Sequence, residues 1–336
     1  INGKHDFNHV ESCARTIASG LKKGDLVLVR GTLVPGMTRE FVKPILEESG
    51  LKAGDDFYLA YSSERIAEGK AFDEFENMPA LISGINEISS EKAAQLMGIV
   101  TKELHTASSM EVVETAKVME NVSRDVNIAM VNEYARFCEA LQIDVFEVIK
   151  LANTHKRVKL LTPGPGVGGY CIPNALHYLN PKADELGVQL KLLRTARKIN
   201  EEVPAYIVSM VTRNLQVPAQ RAKIAVLGIA MKDYSSDDRL SPALEVIKLL
   251  QLSGIQVAAF DPAVPAQYDF KVESLESAVE NAHGILVLTR QNGIGYTNFK
   301  LFNQLMSKEG TPFIVDTKNL YSRHDVENNG LIYTAI

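Results

Sequence analysis

Residues 108–141 read SSMEVVETAKVMENVSRDVNIAMVNEYARFCEAL. From Val112 to Leu141 apolar residues recur at helical spacing, with no proline or glycine to interrupt them. Ser108 and Glu111 form a capping-box pattern at the start. The stretch therefore predicts one helix well above the usual domain length, a spine or a dimer seam. Lys117, Asn121, Arg124 and Ile128 fall at i, i+4, i+7 and i+11 and share a face. Most such stripes are solvated. The functional alternative is a polar row under a substrate, where an ammonium handles a proton, an amide donates to an oxyanion and a guanidinium grips an anion.

On the N-terminal side, helical patterns at 9–21, 38–48 and 91–103 alternate with apolar runs Leu26–Val29, Phe57–Tyr61 and Ala80–Ser83. That alternation predicts a parallel sheet covered by helices. No strand precedes residue 9 and no G-x-G-x-x-G turn follows a first strand, so this part reads as the second half of a nucleotide-binding fold. On the C-terminal side, 187–201 reads as a helix, with Pro204 starting or kinking the next. Then Ile224–Gly228, Val257–Phe260, Ile285–Leu288 and Phe313–Val315 predict a second parallel α/β domain, with ligand expected at the carboxyl ends of its strands. Lys232, Arg239 and Ser241 lie in the loop after its first strand, before a helix opening at Pro242. The fold class is thus α/β: two Rossmann-like domains, the first incomplete, joined by an all-helical centre. The expected boundaries are 1–107, 108–203 and 204–336.

Composition narrows the function classes. A chain of 336 residues has room for two or three domains. A net charge of −5 argues against nucleic-acid binding. No apolar run reaches membrane-spanning length, which implies no membrane partner. Cys13, Cys138 and Cys171 are odd in number and far apart, which suits a reducing, cytoplasmic setting without a disulfide framework. No His, Cys and carboxylate set has metal-ligand spacing, so no metal is expected.

Pro163-Gly164-Pro165-Gly166-Val167-Gly168-Gly169-Tyr170-Cys171 can be neither helix interior nor central strand. It is a shaped loop that presents a thiol. A buried packing cysteine and a nucleophile both fit such a stretch.

Taken in order, these stretches resemble the UDP-glucose/GDP-mannose dehydrogenase family, whose NAD-dependent members oxidise C6 of a nucleotide sugar from alcohol to carboxylate. Gly31-Thr32-Leu33-Val34-Pro35-Gly36-Met37-Thr38 resembles S-T-V-P-P-G-T-T, and Glu64-Arg65-Ile66-Ala67-Glu68-Gly69 resembles E-R-x-x-E-G. Lys117 to Asn121 resembles K-x-x-x-N, the glycine loop G-x-G-G-x-C, and Lys232 to Pro242 K-x(4)-D-x-R-x-S-P. Arg124 and His155-x-Arg157 are similar to the UDP-N-acetylhexosamine branch. The N-acetylmannosamine nucleotide is the first expected substrate; the N-acetylglucosamine and glucose nucleotides are alternatives, as is a non-catalytic UDP-sugar-binding role.

The resemblance implies Cys171 as nucleophile, Lys117 and Asn121 as proton handler and oxyanion donors, and Glu64 as the group that positions water. It implies Thr32, Glu68 and Arg239 on the NAD side. On the UDP-sugar side it implies Arg65, Lys117, Asn121, Arg124, His155, Arg157, Gly168, Lys232 and Lys318. His155 and Arg157 are expected to serve a neighbouring subunit, in a homodimer built through the long helix. Ala175 stands where the family carries aspartate, and Lys318 where it carries arginine. The family's opening βαβ unit with its pyrophosphate turn is expected to precede this stretch, which by itself is expected to be inactive.

Overall fold

The computed structural model describes residues 6–66 and 71–336. The chain divides into two compact units, one of residues up to Ser123 with Asn174–Lys191, the other of Arg124–Pro173 with Leu192–Ile336.

In the first unit, α1 (Asn8–Gly20) leads to β1 (Leu26–Val29), and a π-type turn, Thr38–Val42, runs into α2 (Lys43–Glu47). Then come β2 (Tyr58–Ser62), α3 (Ala71–Asn77), β3 (Ala80–Gly84), α4 (Glu87–Met97) and β4 (Leu104–Thr106). The sheet order is β1-β2-β3-β4. β1 and β2 are parallel, as are β3 and β4, while β2 and β3 run antiparallel. The sheet is therefore mixed at one pair, which needs no crossover over the sheet face. β4 escapes the sequence reading because Leu-His-Thr carries no apolar run; the helix expected to 103 stops at Met97. Leu46, Phe57, Leu59, Tyr61 and Met110 fill the core. At Gly84 an added Cβ would stand 2.4 Å from the Ser90 backbone nitrogen, so glycine lets α4 close onto β3.

The long helix exists as α5 (Met110–Leu141), 32 residues. Its start differs in detail from the expected capping box. The Ser109 hydroxyl accepts the Val112 N–H at 3.4 Å, and Glu111 is drawn instead to Arg39 at 2.6 Å. α6 (Val145–Ala152), α7 (Cys171–Glu185) and α8 (Lys191–Asn214) follow. α8 starts later than expected and carries Pro204 in its interior. The missing proline N–H costs one helical hydrogen bond, and burial of Val203, Pro204, Ile207 and Met210 holds the helix together across it.

In the second unit, β5 (Lys223–Leu227), α9 (Pro242–Leu252), β6 (Gln256–Phe260), α10 (Leu275–Val279), β7 (Gly284–Val287), α11 (Phe299–Leu305), β8 (Phe313–Asp316), α12 (Arg323–Asn328) and β9 (Ile332–Ala335) build a sheet of order β6-β5-β7-β8-β9. Every pair is parallel. β5, β7 and β8 are apolar runs buried on both faces, as the sequence implied. The chain leaves β5 for β6 on one side and returns to β7 on the other. That switch point is where such sheets place ligands.

Candidate active site

The residues singled out by the sequence divide between the two units. In the first, the loop after β1 carries Thr32 and is held at both ends. The buried Tyr61 hydroxyl donates to the Gly31 carbonyl at 3.1 Å. The Glu114 carboxylate, 1% exposed on α5, accepts the Gly36 N–H at 2.6 Å, the Thr38 N–H at 2.9 Å and the Thr38 hydroxyl at 2.5 Å. Burial pushes the Glu114 carboxyl above the usual carboxylate range despite these donors.

Glu64 follows β2 and pairs with Arg30 at 2.7 Å, while accepting the Ile66 N–H at 2.8 Å. Arg65 is committed to Glu120 of α5 at 2.9 Å and to the Pro79 carbonyl at 2.7 Å. Glu68 lies outside the described residues. The carboxyl ends of the parallel pair β1 and β2 also hold unspent polar groups. Ser62 Oγ, Ser63 Oγ and Arg30 Nε are buried without a hydrogen-bond partner among the described residues. Such orphans at strand ends fit a polar ligand like a dinucleotide.

Along α5 the predicted polar row is graded. Lys117 is half-buried, Asn121 is 9% exposed, Arg124 is exposed and Ile128 is half-buried.

In the second unit the glycine loop is a built feature. Gly164 donates its N–H to Asn132 Oδ1 at 3.1 Å, and Asn132 donates to Asn200 at 3.3 Å. Asn200 in turn donates to both the carboxylate and the backbone carbonyl of Asp125, each at 2.8 Å. Arg197 closes the relay with a 2.9 Å ion pair to Asp125, both side chains buried. Burial raises the Asp125 carboxyl, and the Arg197 charge opposes that rise.

The rest of the loop is fixed by close approach. An added Cβ at Gly166 (φ +126°) would stand 3.0 Å from Pro242, and one at Gly168 2.7 Å from Pro242 and 3.0 Å from Met231. The loop is thus seated on the segment that carries Lys232 and Arg239. It ends at an exposed Cys171, the first residue of α7, where a helix dipole favours developing negative charge. Ala175 is 2% exposed inside α7.

The segment after β5 is strained. Tyr234 and Leu240 adopt φ of +57° and +51°. The Arg239 guanidinium holds the Asp237 carboxyl down at about 2 through hydrogen bonds of 2.6–3.1 Å. Lys318, after β8, pairs with Asp233 at 2.9 Å, and the Arg290 N–H donates to the same carboxylate at 3.0 Å. Lys232 is exposed. The loops after β5, β7 and β8 are thus joined through Asp233, Arg290 and Lys318, and the first of them also carries Lys232 and Arg239, cations of a kind suited to a diphosphate. His155 and Arg157 lie in an exposed turn after α6, where the Arg157 N–H reaches His155 Nδ1 at 3.3 Å.

Sequence reasoning missed Glu114, Asp125, Asn132, Asn200 and Arg197. Their signal was a polar residue standing on the apolar stripe of a helix. On α5, Glu114, Asp125 and Asn132 share the buried stripe with Met110, Val118, Val122 and Ala129. It also missed Arg290 and Asp233, which only the fold brings to Lys318.

Three family models match the chain. They describe the NAD-binding domain (residues 1–100), the central domain (111–202) and the UDP-binding domain (225–323) of the UDP-glucose/GDP-mannose dehydrogenase family. The UDP-N-acetyl-D-mannosamine dehydrogenase of Pyrococcus horikoshii is 34% identical over 98% of this chain and 77% of its own length. The UDP-N-acetyl-D-glucosamine 6-dehydrogenase of Pseudomonas aeruginosa is 31% identical over 88% of this chain and 71% of its own. The solved structure of the Pyrococcus horikoshii UDP-D-ManNAc dehydrogenase superposes with a TM-score of 0.91 at 33% identity, covering 100% of this chain and 78% of that one.

Proposed function

The chain belongs to the UDP-glucose/GDP-mannose dehydrogenase family and is an NAD-dependent nucleotide-sugar dehydrogenase; from that premise we propose that it oxidises C6 of UDP-N-acetyl-D-mannosamine to the uronate through Cys171. The observation that carries the reading is the exposed Cys171 thiol at the start of α7, on a glycine loop seated against the segment bearing Lys232 and Arg239. The sugar is chosen on the motif set and on what the relatives' names say they act on.

When bound, NAD would supply the hydride acceptor for each of the two oxidations at C6. The protein's part is to hold, orient and move protons. In the first oxidation Lys117, or water that it holds, takes the hydroxyl proton. Cys171 then adds to the aldehyde carbon to give a thiohemiacetal, with Asn121 and Lys117 donating to its oxygen. In the second oxidation the thiohemiacetal hydroxyl gives its proton to Lys117 or the water that it holds, after that group has released the first proton to solvent, and a thioester is left on Cys171. Water oriented by Glu64 cleaves it to carboxylate and free thiol. Thr32, Glu68 and Arg239 serve the cofactor side. Arg65, Arg124, Gly168, Lys232 and Lys318 serve the UDP-sugar, with Arg65 acting through its pair to Glu120 on α5. Ala175 stands where the family resemblance implies an aspartate, so Glu64 alone among these residues is assigned to the hydrolytic water.

The domains are assigned as 1–107 for NAD, 108–203 for the helical centre and 204–336 for UDP-sugar. Tyr134, Phe137 and Leu141 of α5, with Val148 and Leu151 of α6, are exposed apolar side chains. They support a homodimer through this face, with His155 and Arg157 offered to the neighbouring copy. No helix among the described residues is long and apolar enough to cross a membrane. We assign the protein to the cytoplasm, where its three free thiols stay reduced.

NADH appearance with each UDP-sugar, using the full-length protein, tests the substrate. Turnover of UDP-glucose alone overturns the choice, and UDP-N-acetylglucosamine as the better substrate moves it to the second hexosamine. Cys171→Ser is expected to bind UDP-sugar and form no carboxylate; full activity in that variant removes Cys171 as nucleophile.

A further inference from the structure

We propose that Glu114 is a positioning residue for the cofactor-side loop, fixing Gly31–Thr38 to the helix that carries Lys117. The proposal rests on the reading of Thr32 as a cofactor contact. Glu114 lies three residues before Lys117 on α5, about one helical turn. Its two oxygens receive only donors: Gly36 N–H on Oε2, and Thr38 N–H and hydroxyl on Oε1. Tyr61 pins the other end of the loop at the Gly31 carbonyl. Thr32 lies between the two anchors.

Only a carboxylate satisfies this arrangement. Glutamine has one acceptor oxygen and one NH₂. Whichever way it turns, one backbone N–H of the loop faces another N–H, and a buried donor is orphaned. Gly36 cannot escape by changing residue type, because its φ is +95°. Ordinary packing would tolerate the isosteric amide; this clamp does not. The carboxylate transfers the geometry of α5 to the loop, so that the cofactor contact and the proton-handling lysine keep one register.

Glu114→Gln in the full-length enzyme tests the assignment. The KM for NAD is expected to rise about tenfold, with the KM for UDP-sugar unchanged and kcat at saturating NAD within about threefold. Amide exchange at Gly36 and Thr38 is expected to accelerate, and Glu114→Asp, which keeps two acceptor oxygens, to recover part of the NAD affinity. If Glu114→Gln fails to fold, Glu114→Asp carries the same measurements, with a smaller rise in the KM for NAD and the same faster exchange. An unchanged KM for NAD with unchanged exchange in the variant measured overturns the proposal. So does an equal loss in kcat and both KM values without faster exchange at these two amides. Thr32→Ala separates the underlying reading. If it leaves the KM for NAD untouched while the Glu114 variant still speeds loop exchange, the cofactor role of the loop has failed and the clamp has not.

Discussion

Alanine at Gly168 is expected to disable Cys171 without unfolding the protein. Its Cβ would stand 2.7 Å from Pro242 Cδ, 3.0 Å from Met231 Cβ and 3.1 Å from the Leu240 carbonyl oxygen. Carbon atoms rest at about 3.5–4.0 Å, so the overlap with Pro242 is about 1 Å. Pro242 is a rigid ring at the first position of α9, buried with its neighbours, and does not give way. The loop moves instead. Overpacking of this kind costs about 1–3 kcal/mol. A displacement of about 1 Å at a reacting atom costs about 10²-fold in rate. The assay pairs steady-state NADH formation with the rate at which iodoacetamide modifies Cys171, and with thermal unfolding. Gly164→Ala is the control. Its Cβ would meet nothing within 4 Å and its φ is not positive, so activity should stay within about twofold. Wild-type activity and alkylation in Gly168→Ala, or equal damage in Gly164→Ala, would refute the idea that close approach to Pro242 and Met231 places the thiol.

Two further outcomes follow from the charges. Asp125→Ala strands the Arg197 guanidinium in the interior and should cost about 3 kcal/mol in urea unfolding, the low end for a broken buried pair because Glu201 stands 3.5 Å away; a loss below about 1 kcal/mol would show that the relay to Gly164 is not needed for stability. Asp237 is held at about 2 by Arg239, below its ordinary 3.8, so the stability it adds is present above about pH 4 and is lost as pH falls toward about 2; Asp237→Asn should flatten that acid limb of the unfolding curve, and an unchanged limb would deny the pair a role.

How much was legible depended on whether the signal was local. α5 was readable because 30 residues from Val112 lack proline and glycine and keep one period. β5, β7 and β8 were readable as continuous apolar runs bounded by turns. β4 was not, since a three-residue edge strand owes its existence to its partner β3. Pro204 misled for the opposite reason. The rule that proline ends helices is a statement about one hydrogen bond, and tertiary burial outweighed it in α8. At the candidate site, Cys171 and its glycines carried a sequence pattern. Asp233 holding Lys318, and Asn132 holding Gly164, join positions 85 and 32 residues apart, which no spacing reveals.

The left-handed residues of the segment after β5 bear on how this sequence is free to drift. Tyr234 and Leu240 each carry a backbone penalty of about 1–2 kcal/mol. Glycine would remove it, yet glycine returns about 0.5–1 kcal/mol through a floppier unfolded chain. The difference favours glycine by about 0–1.5 kcal/mol, so exchange between glycine and a side chain at 234 or 240 is a modest change for folding. The loop's shape is held from outside, by the Tyr234 N–H on the Arg290 carbonyl and by the Ser241 cap on α9. Positions of such small cost beside Lys232 and Arg239 leave this segment room to vary while the fold stays the same.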